Sequence, residues 1–70
     1  MKLQAKAEKL IRSICQEYKN EPTPLMMILS KIQKEYGYIP LEVQEIISEE
    51  IHIPVSDIYG VVTFYSFFSL

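Results

Sequence analysis

Few side chains in this sequence could do chemistry, and none stands in a pattern that catalysis or metal binding requires. The 70 residues hold one cysteine, Cys15, and one histidine, His52. Zinc sites need three or four protein ligands, and an iron–sulfur cluster needs four cysteines or two cysteines with two histidines. No sequence signature of a cysteine nucleophile surrounds Cys15. We therefore expect no catalytic, cofactor-binding or metal-binding residue among these 70.

The remaining chemistry-bearing residues have simpler interpretations. Gly37 and Gly60 are the only glycines, which excludes a glycine-rich phosphate loop. Cys15 lies at the edge of an apolar helical stripe, where a small buried hydrophobe is the expected role. The glutamates of the third predicted helix could ligate a divalent ion, but a solvated helix face explains them better.

Charge is divided unevenly along the chain, although the net charge is only -2. No lysine or arginine follows Lys34, so the first part is basic and the second acidic. We interpret these as two solvated faces that attract each other weakly within the fold. The acidic balance predicts no nucleic-acid partner. The single cysteine, the absence of a long apolar run and the charged N-terminus predict a cytoplasmic protein without membrane insertion.

The apolar spacing predicts two helices in the first half. The first runs from about Ala5 to Lys19. The second is capped by Thr23, has Pro24 in its first turn and stops at Gly37. Tyr38 or Ile39 should then fold back over the helix end. The apolar stripes are Ala7, Leu10, Ile11, Ile14 and Tyr18 in the first helix, and Leu25, Ile28, Leu29, Ile32 and Tyr36 in the second.

Two further helices are predicted in the second half. The third runs from Leu41 to about Glu50 and buries Val43, Ile46 and Ile47. The fourth is capped by Ser56, although residues 61–65 would also suit a buried strand. Its predicted core face is Ile58, Val61, Val62, Tyr65 and Phe68. The predicted fold is all-α, a small bundle of four helices with short connections, forming a single domain over residues 1–70.

The sequence contains more apolar residues than such a small core can bury. Phe64 and Phe67 flank the core face of the last helix, and Gly60 lies on their side, where its missing side chain would allow close approach of another element. Met26 and Met27 lie off the stripe of the second helix and could also contact another element. An excess of this kind predicts a partner surface.

Two stretches carry a recognisable pattern: Tyr-Gly-Tyr-Ile-Pro at residues 36–40 and Val-Thr-Phe-Tyr at residues 62–65. In this order and spacing, the chain resembles the N-terminal helical domain of the small thioredoxin-like [2Fe-2S] subunit of respiratory complex I (NADH:quinone oxidoreductase). Related subunits occur in NAD(P)-linked hydrogenases and formate dehydrogenases. In that family a thioredoxin-like domain with four cysteine ligands follows, whereas these residues end before it. Cys15 matches none of those ligands.

The resemblance implies a non-catalytic docking domain in an oxidoreductase that depends on NAD(P)H. Its partners would be the flavin- and NADH-binding subunit and the thioredoxin-like domain, which would carry the [2Fe-2S] cluster. The cluster domain would thereby be held against the flavin subunit. The residues expected to make the contacts are Tyr36, Tyr38, Tyr59, Gly60, Phe64, Tyr65, Phe67 and Phe68.

Two other functions are compatible with a small helical domain. Residues 46–62 resemble a helix-turn-helix, but the would-be recognition helix carries no lysine or arginine, which argues against DNA binding. A free-standing adaptor that dimerises through its last helix is the other alternative.

Overall fold

Over the residues that the structure describes, the chain folds into four α-helices. The computed structural model describes residues 5–65 and residue 68. The helices are α1 (Ala5–Tyr18), α2 (Pro24–Tyr36), α3 (Leu41–Ile51) and α4 (Val55–Phe64). No strand occurs over the described ranges, and residues 61–64 are helical. The all-α prediction is therefore confirmed, and the strand alternative for residues 61–65 is wrong.

The buried face of α1 is rotated from the predicted stripe. Ile11, Ile14 and Cys15 are buried, whereas Leu10 is 50% exposed. At 100° per residue, Cys15 lies on the opposite side of Ile11 from Leu10. Because α1 packs against both α2 and α3, its buried arc extends toward Cys15 and leaves Leu10 outside. The prediction for Leu10 was wrong, and that for Cys15 is confirmed.

The start of α2 differs from the prediction, and its end agrees. Thr23 occupies the cap position but makes no side-chain capping bond; its carbonyl accepts from the Met27 N–H at 3.2 Å. At the other end, Gly37 is left-handed with φ of 82° and donates its N–H to the Gln33 carbonyl at 2.7 Å. Ile39 then turns into the core, while Tyr38 remains 45% exposed.

Helix α3 buries the three predicted residues and one that was missed. Val43, Ile46 and Ile47 are buried as expected, but Gln44 is also fully buried. Its Nε2 donates to the Ile39 carbonyl at 3.1 Å, which ties the helix to the turn before it. The Oε1 atom of Gln44 has no hydrogen-bond partner among the described residues.

Both ends of α4 differ from the prediction. Pro54, not Ser56, occupies the cap position, and its carbonyl accepts from the Asp57 N–H at 3.0 Å. The helix ends at Phe64 because Tyr65 is extended, with ψ of 117°. Phe68 still reaches the core, at 7% exposure, but from beyond the helix end. Phe67 lies outside the described residues.

One core joins all four helices. Aliphatic side chains from each helix supply most of it, with Ile39 from the turn before α3 and Phe68 from beyond α4. Its buried hydrophobic members are Ile11, Ile14, Cys15, Ile28, Leu29, Ile32, Ile39, Val43, Ile46, Ile47, Ile58, Val62 and Phe68.

Candidate docking surface

The outer side of α4 exposes aromatic side chains to solvent. Ile58 and Val62 turn inward, so residues half a turn away face outward. Phe64 is 82% exposed, and Tyr59 and Tyr65 are each 46% exposed. We name the four residues Tyr59, Gly60, Phe64 and Tyr65 the α4 surface. It presents rings that no described element of the chain covers.

The exposed rings are connected to the core through edge-on contacts. The ring centroids of Phe64 and Tyr65 lie 5.3 Å apart at an interplanar angle of 86°. Those of Tyr65 and Phe68 lie 6.4 Å apart at 76°. Edge-on pairs of this kind contribute about 0.5–1.5 kcal/mol each. Phe64 thus contacts Tyr65, which in turn contacts the buried Phe68.

Gly60 lies in the middle of the α4 surface without a conformational reason to be glycine. Its φ is not positive, unlike that of Gly37. A Cβ added at Gly60 would meet no heavy atom within 4 Å, so nothing in the described chain needs the space. The Thr63 hydroxyl lies 2.9 Å from the Tyr59 carbonyl and 3.2 Å from the Gly60 carbonyl, which covers part of this exposed backbone.

The remaining expected contact residues are distributed between the turn and the core. Tyr36 ends α2 and packs partly against the core. Tyr38 follows Gly37 and lies half-exposed. Phe68 is buried, so its ring stabilises the fold and is not presented to a partner. The structure thus brings together Phe64, Tyr65 and Phe68 by ring contacts. It places Tyr36 at the end of α2 and Tyr38 in the turn that follows.

An ionic network centred on Arg12 joins α1 to the end of α3. Its guanidinium contacts Glu8 at 3.0 Å, Glu49 at 2.9 Å and Glu50 at 2.7 Å. Hydrogen bonds to Glu49, Glu50 and Glu8 raise the pKa of Arg12 above its usual value. The same contact from Arg12, followed by that from Gln16, lowers the pKa of Glu50. The predicted attraction between the basic first helix and the acidic second half is confirmed.

The residues of this chain do not fit an iron–sulfur cluster. Cys15 is fully buried, and desolvation, followed by the charge of Glu50, raises the pKa of its thiol to about 11. The sequence has no second cysteine, whereas such a cluster needs at least two. Within residues 5–65 and 68, no group of three histidine, cysteine or acidic side chains could hold a metal ion.

Comparison with known proteins identifies the family. Residues 11–70 match the model of the thioredoxin-like [2Fe-2S] ferredoxin family. The chain belongs to this family. The resemblance seen in the sequence is confirmed, and most of the fold described above lies within the matched range.

One relative is a hydrogenase subunit. The chain is 41% identical over 46 residues to the NADP-reducing hydrogenase subunit HndA of Solidesulfovibrio fructosivorans. The aligned region covers 66% of this chain and 27% of that subunit, so the chain spans about a quarter of its relative. No helix within the described part of the chain is long and apolar enough to cross a membrane.

Proposed function

We propose that these residues form a non-catalytic docking domain of an electron-transfer subunit in an NAD(P)-linked hydrogenase or NADH dehydrogenase. The observation that carries the proposal is the α4 surface: exposed aromatic rings, two of which are in edge-on contact, on a domain whose other large apolar residues within the described ranges mostly pack in one core. Membership of the [2Fe-2S] ferredoxin family supports an electron-transfer subunit, and the relative's name supports a hydrogenase as the complex. The lack of a cluster ligand set makes a positional role the best fit.

The positional role follows from how electron transfer depends on distance. Transfer between two centres slows steeply as they separate, so a rigid element that fixes one centre near another affects the rate without carrying an electron. The proposed neighbours are a thioredoxin-like [2Fe-2S] domain in the longer protein and the flavin- and NAD(P)H-binding subunit. That the relative is almost four times longer than the aligned region supports a further domain.

Phe64 is the proposed anchor of the contact. Aromatic residues held in place and buried on binding dominate the energy of many interfaces, and truncating one commonly costs 2 kcal/mol or more, roughly thirtyfold in affinity. We therefore expect Phe64→Ala to weaken binding of the full-length protein to the flavin subunit by about that factor. Surface plasmon resonance on the purified proteins would measure the change.

A matched control separates docking from folding. Leu10→Ala also removes an exposed apolar side chain, but from α1. It should leave the affinity unchanged, and both variants should keep the helical circular dichroism of the wild type. Equal affinity of Phe64→Ala and wild type would overturn the proposed role of the α4 surface.

The same exposed ring also supports a second candidate, self-association through α4. A dimer that buried Phe64 would remove from water a large apolar side chain that is 82% exposed. Sedimentation equilibrium across a concentration series distinguishes the candidates. The dimer is excluded if the protein stays monomeric at high concentration while it binds the flavin subunit.

A further inference from the structure

The outer face of α2 forms a groove that the proposed docking function does not use. It is a shallow depression of about 800 Å³ beside the end of α1. Two methionines and a tyrosine provide its apolar surface, and two lysines provide its charge. The lining residues are Tyr18, Met26, Met27, Ser30, Lys31, Gln33 and Lys34. We name it the Met–Lys groove.

No acidic side chain of the described residues lines the Met–Lys groove. Lys34 forms no ion pair within the same part of the chain, and Lys31 has a single long contact of 3.9 Å with Glu35. By contrast, Arg12 on α1 is surrounded by three carboxylates at 3.0 Å or less. The lysines of the groove therefore keep most of their charge available to a binding partner.

The charge of the groove belongs to a larger division of the molecule. Residues 1–34 contain all seven basic residues and three acidic ones, and residues 35–70 contain six acidic residues and no basic one. The groove lies on the basic part and the α4 surface on the acidic part. The groove and the α4 surface therefore favour partner surfaces of opposite charge.

We propose that the Met–Lys groove binds an acidic amphipathic segment of a partner protein. The methionine thioethers are polarisable and conformationally adaptable, so they suit an apolar side chain of the segment. The two lysine ammonium groups lie beside them and suit its carboxylates. This combination matches a helix laid in a groove, in which apolar anchors give affinity and flanking charges give orientation.

Other kinds of ligand fit the groove less well. It is open and lined mostly by one face of α2, so a small molecule would keep much of its surface in water, whereas small-molecule sites bury most of the ligand. Membrane recognition by charge uses clusters of about four to eight basic residues, and the groove offers two. A protein segment is the occupant that uses both its thioethers and its lysines.

Photocrosslinking in the cell tests the proposal on the full-length protein. A benzoylphenylalanine placed at Met27 should form an adduct with a protein peptide rich in aspartate or glutamate, identified by mass spectrometry. The same probe at Ser13, an exposed position on α1, should form no such adduct. Adducts of the Met27 probe with lipid, with nucleic acid, with a second copy of the protein or with a peptide lacking acidic residues would overturn the proposal, as would no adduct.

Charge reversal of the groove provides the second measurement. Lys31→Glu together with Lys34→Glu should lower the affinity for a synthetic copy of the crosslinked peptide by about tenfold, and added salt should weaken wild-type binding in the same direction. Phe64→Ala should leave this affinity unchanged, because the α4 surface is a separate site. An unaltered affinity in the double variant would overturn the proposal without affecting the docking function of α4.

Discussion

Gln44 is the residue whose surroundings are least evident from its type. A glutamine on a helix is usually solvated, yet this one is fully buried and its amide holds the Ile39 carbonyl at 3.1 Å. The bond couples the turn after Gly37 to the first turns of α3. The apolar period identified Val43, Ile46 and Ile47, but it could not identify Gln44, because the need for a donor arises only when Ile39 turns inward.

Replacing Gln44 by glutamate should destabilise the fold strongly at neutral pH. The change removes the donor to the Ile39 carbonyl and buries a carboxylate, which together should cost about 1–3 kcal/mol or more. Burial raises the pKa of such a carboxyl group. Stability should therefore return as the pH falls, because the protonated group can donate again. Urea unfolding at neutral and acidic pH measures this, and equal destabilisation at both would contradict the role given to Gln44.

Glu50 should make the stability of the protein depend on acidic pH. Its folded-state pKa lies below the ordinary value of 4.5, because Arg12 and Gln16 donate to its carboxylate. A lowered pKa means that the contribution is full above the ordinary value and is lost as the pH falls through the folded-state pKa. We expect Glu50→Gln to lower the melting temperature at neutral pH and to flatten its decline below pH about 4.5.

The control for this prediction is Glu45→Gln. Glu45 is exposed on the same helix and makes no ion pair within the described part of the chain. Its replacement should leave the acid decline of the melting temperature close to that of the wild type. The same flattening in both variants would show that general charge reduction, and not the contact with Arg12, is responsible.

Helix α4 shows the limits of local sequence patterns at the scale of an element. Its core residues Ile58 and Val62 follow from the spacing, but its first residue does not. The cap position was predicted at Ser56, but it is occupied by Pro54, whose fixed φ suits the start of a helix. The extended Tyr65 then ends the helix and lets Phe68 return to the core, a path that helical periodicity alone does not predict.

Replacing Gly60 by alanine should have opposite effects on folding and on docking. A Cβ at this position meets open space, so Gly60→Ala should stabilise the isolated domain by about 1 kcal/mol through helix propensity. If a partner backbone approaches closely there, the same methyl group should weaken binding to the flavin subunit. Thermal unfolding and surface plasmon resonance on the same variant test both expectations. A gain in stability with unchanged affinity would remove Gly60 from the proposed contact.

At the scale of the whole molecule, stability depends on one small core. The fold class, the four helices and most buried aliphatic residues followed from the sequence because apolar period and turn residues agree. The rotation of α1, which exposes Leu10, did not, because it depends on α1 packing against α2 and α3 together. Long-range geometry of this kind is not encoded in any single segment.

A single truncation in the core should therefore remove much of the folding free energy. Ile47 is fully buried on α3, and an isoleucine-to-alanine change in a core typically costs about 2–5 kcal/mol. Small domains have a total stability near the low end of about 5–15 kcal/mol, so Ile47→Ala should unfold a large fraction of the molecules on mild heating. Leu10→Ala should change the free energy of unfolding by no more than about 0.5 kcal/mol. Chemical denaturation compares the two, and similar costs would contradict the assignment of the core.

The contacts of Arg12 become possible one after another while the chain is being synthesised. Glu49 and Glu50 follow Arg12 by 37 and 38 residues, so they leave the ribosome well after it. Until then the guanidinium has only Glu8, four residues away on its own helix, among its three carboxylate partners. The connection of α1 to α3 is therefore completed only when the end of α3 has emerged. A nascent chain whose residue 49 has not yet emerged therefore lacks both contacts between Arg12 and α3.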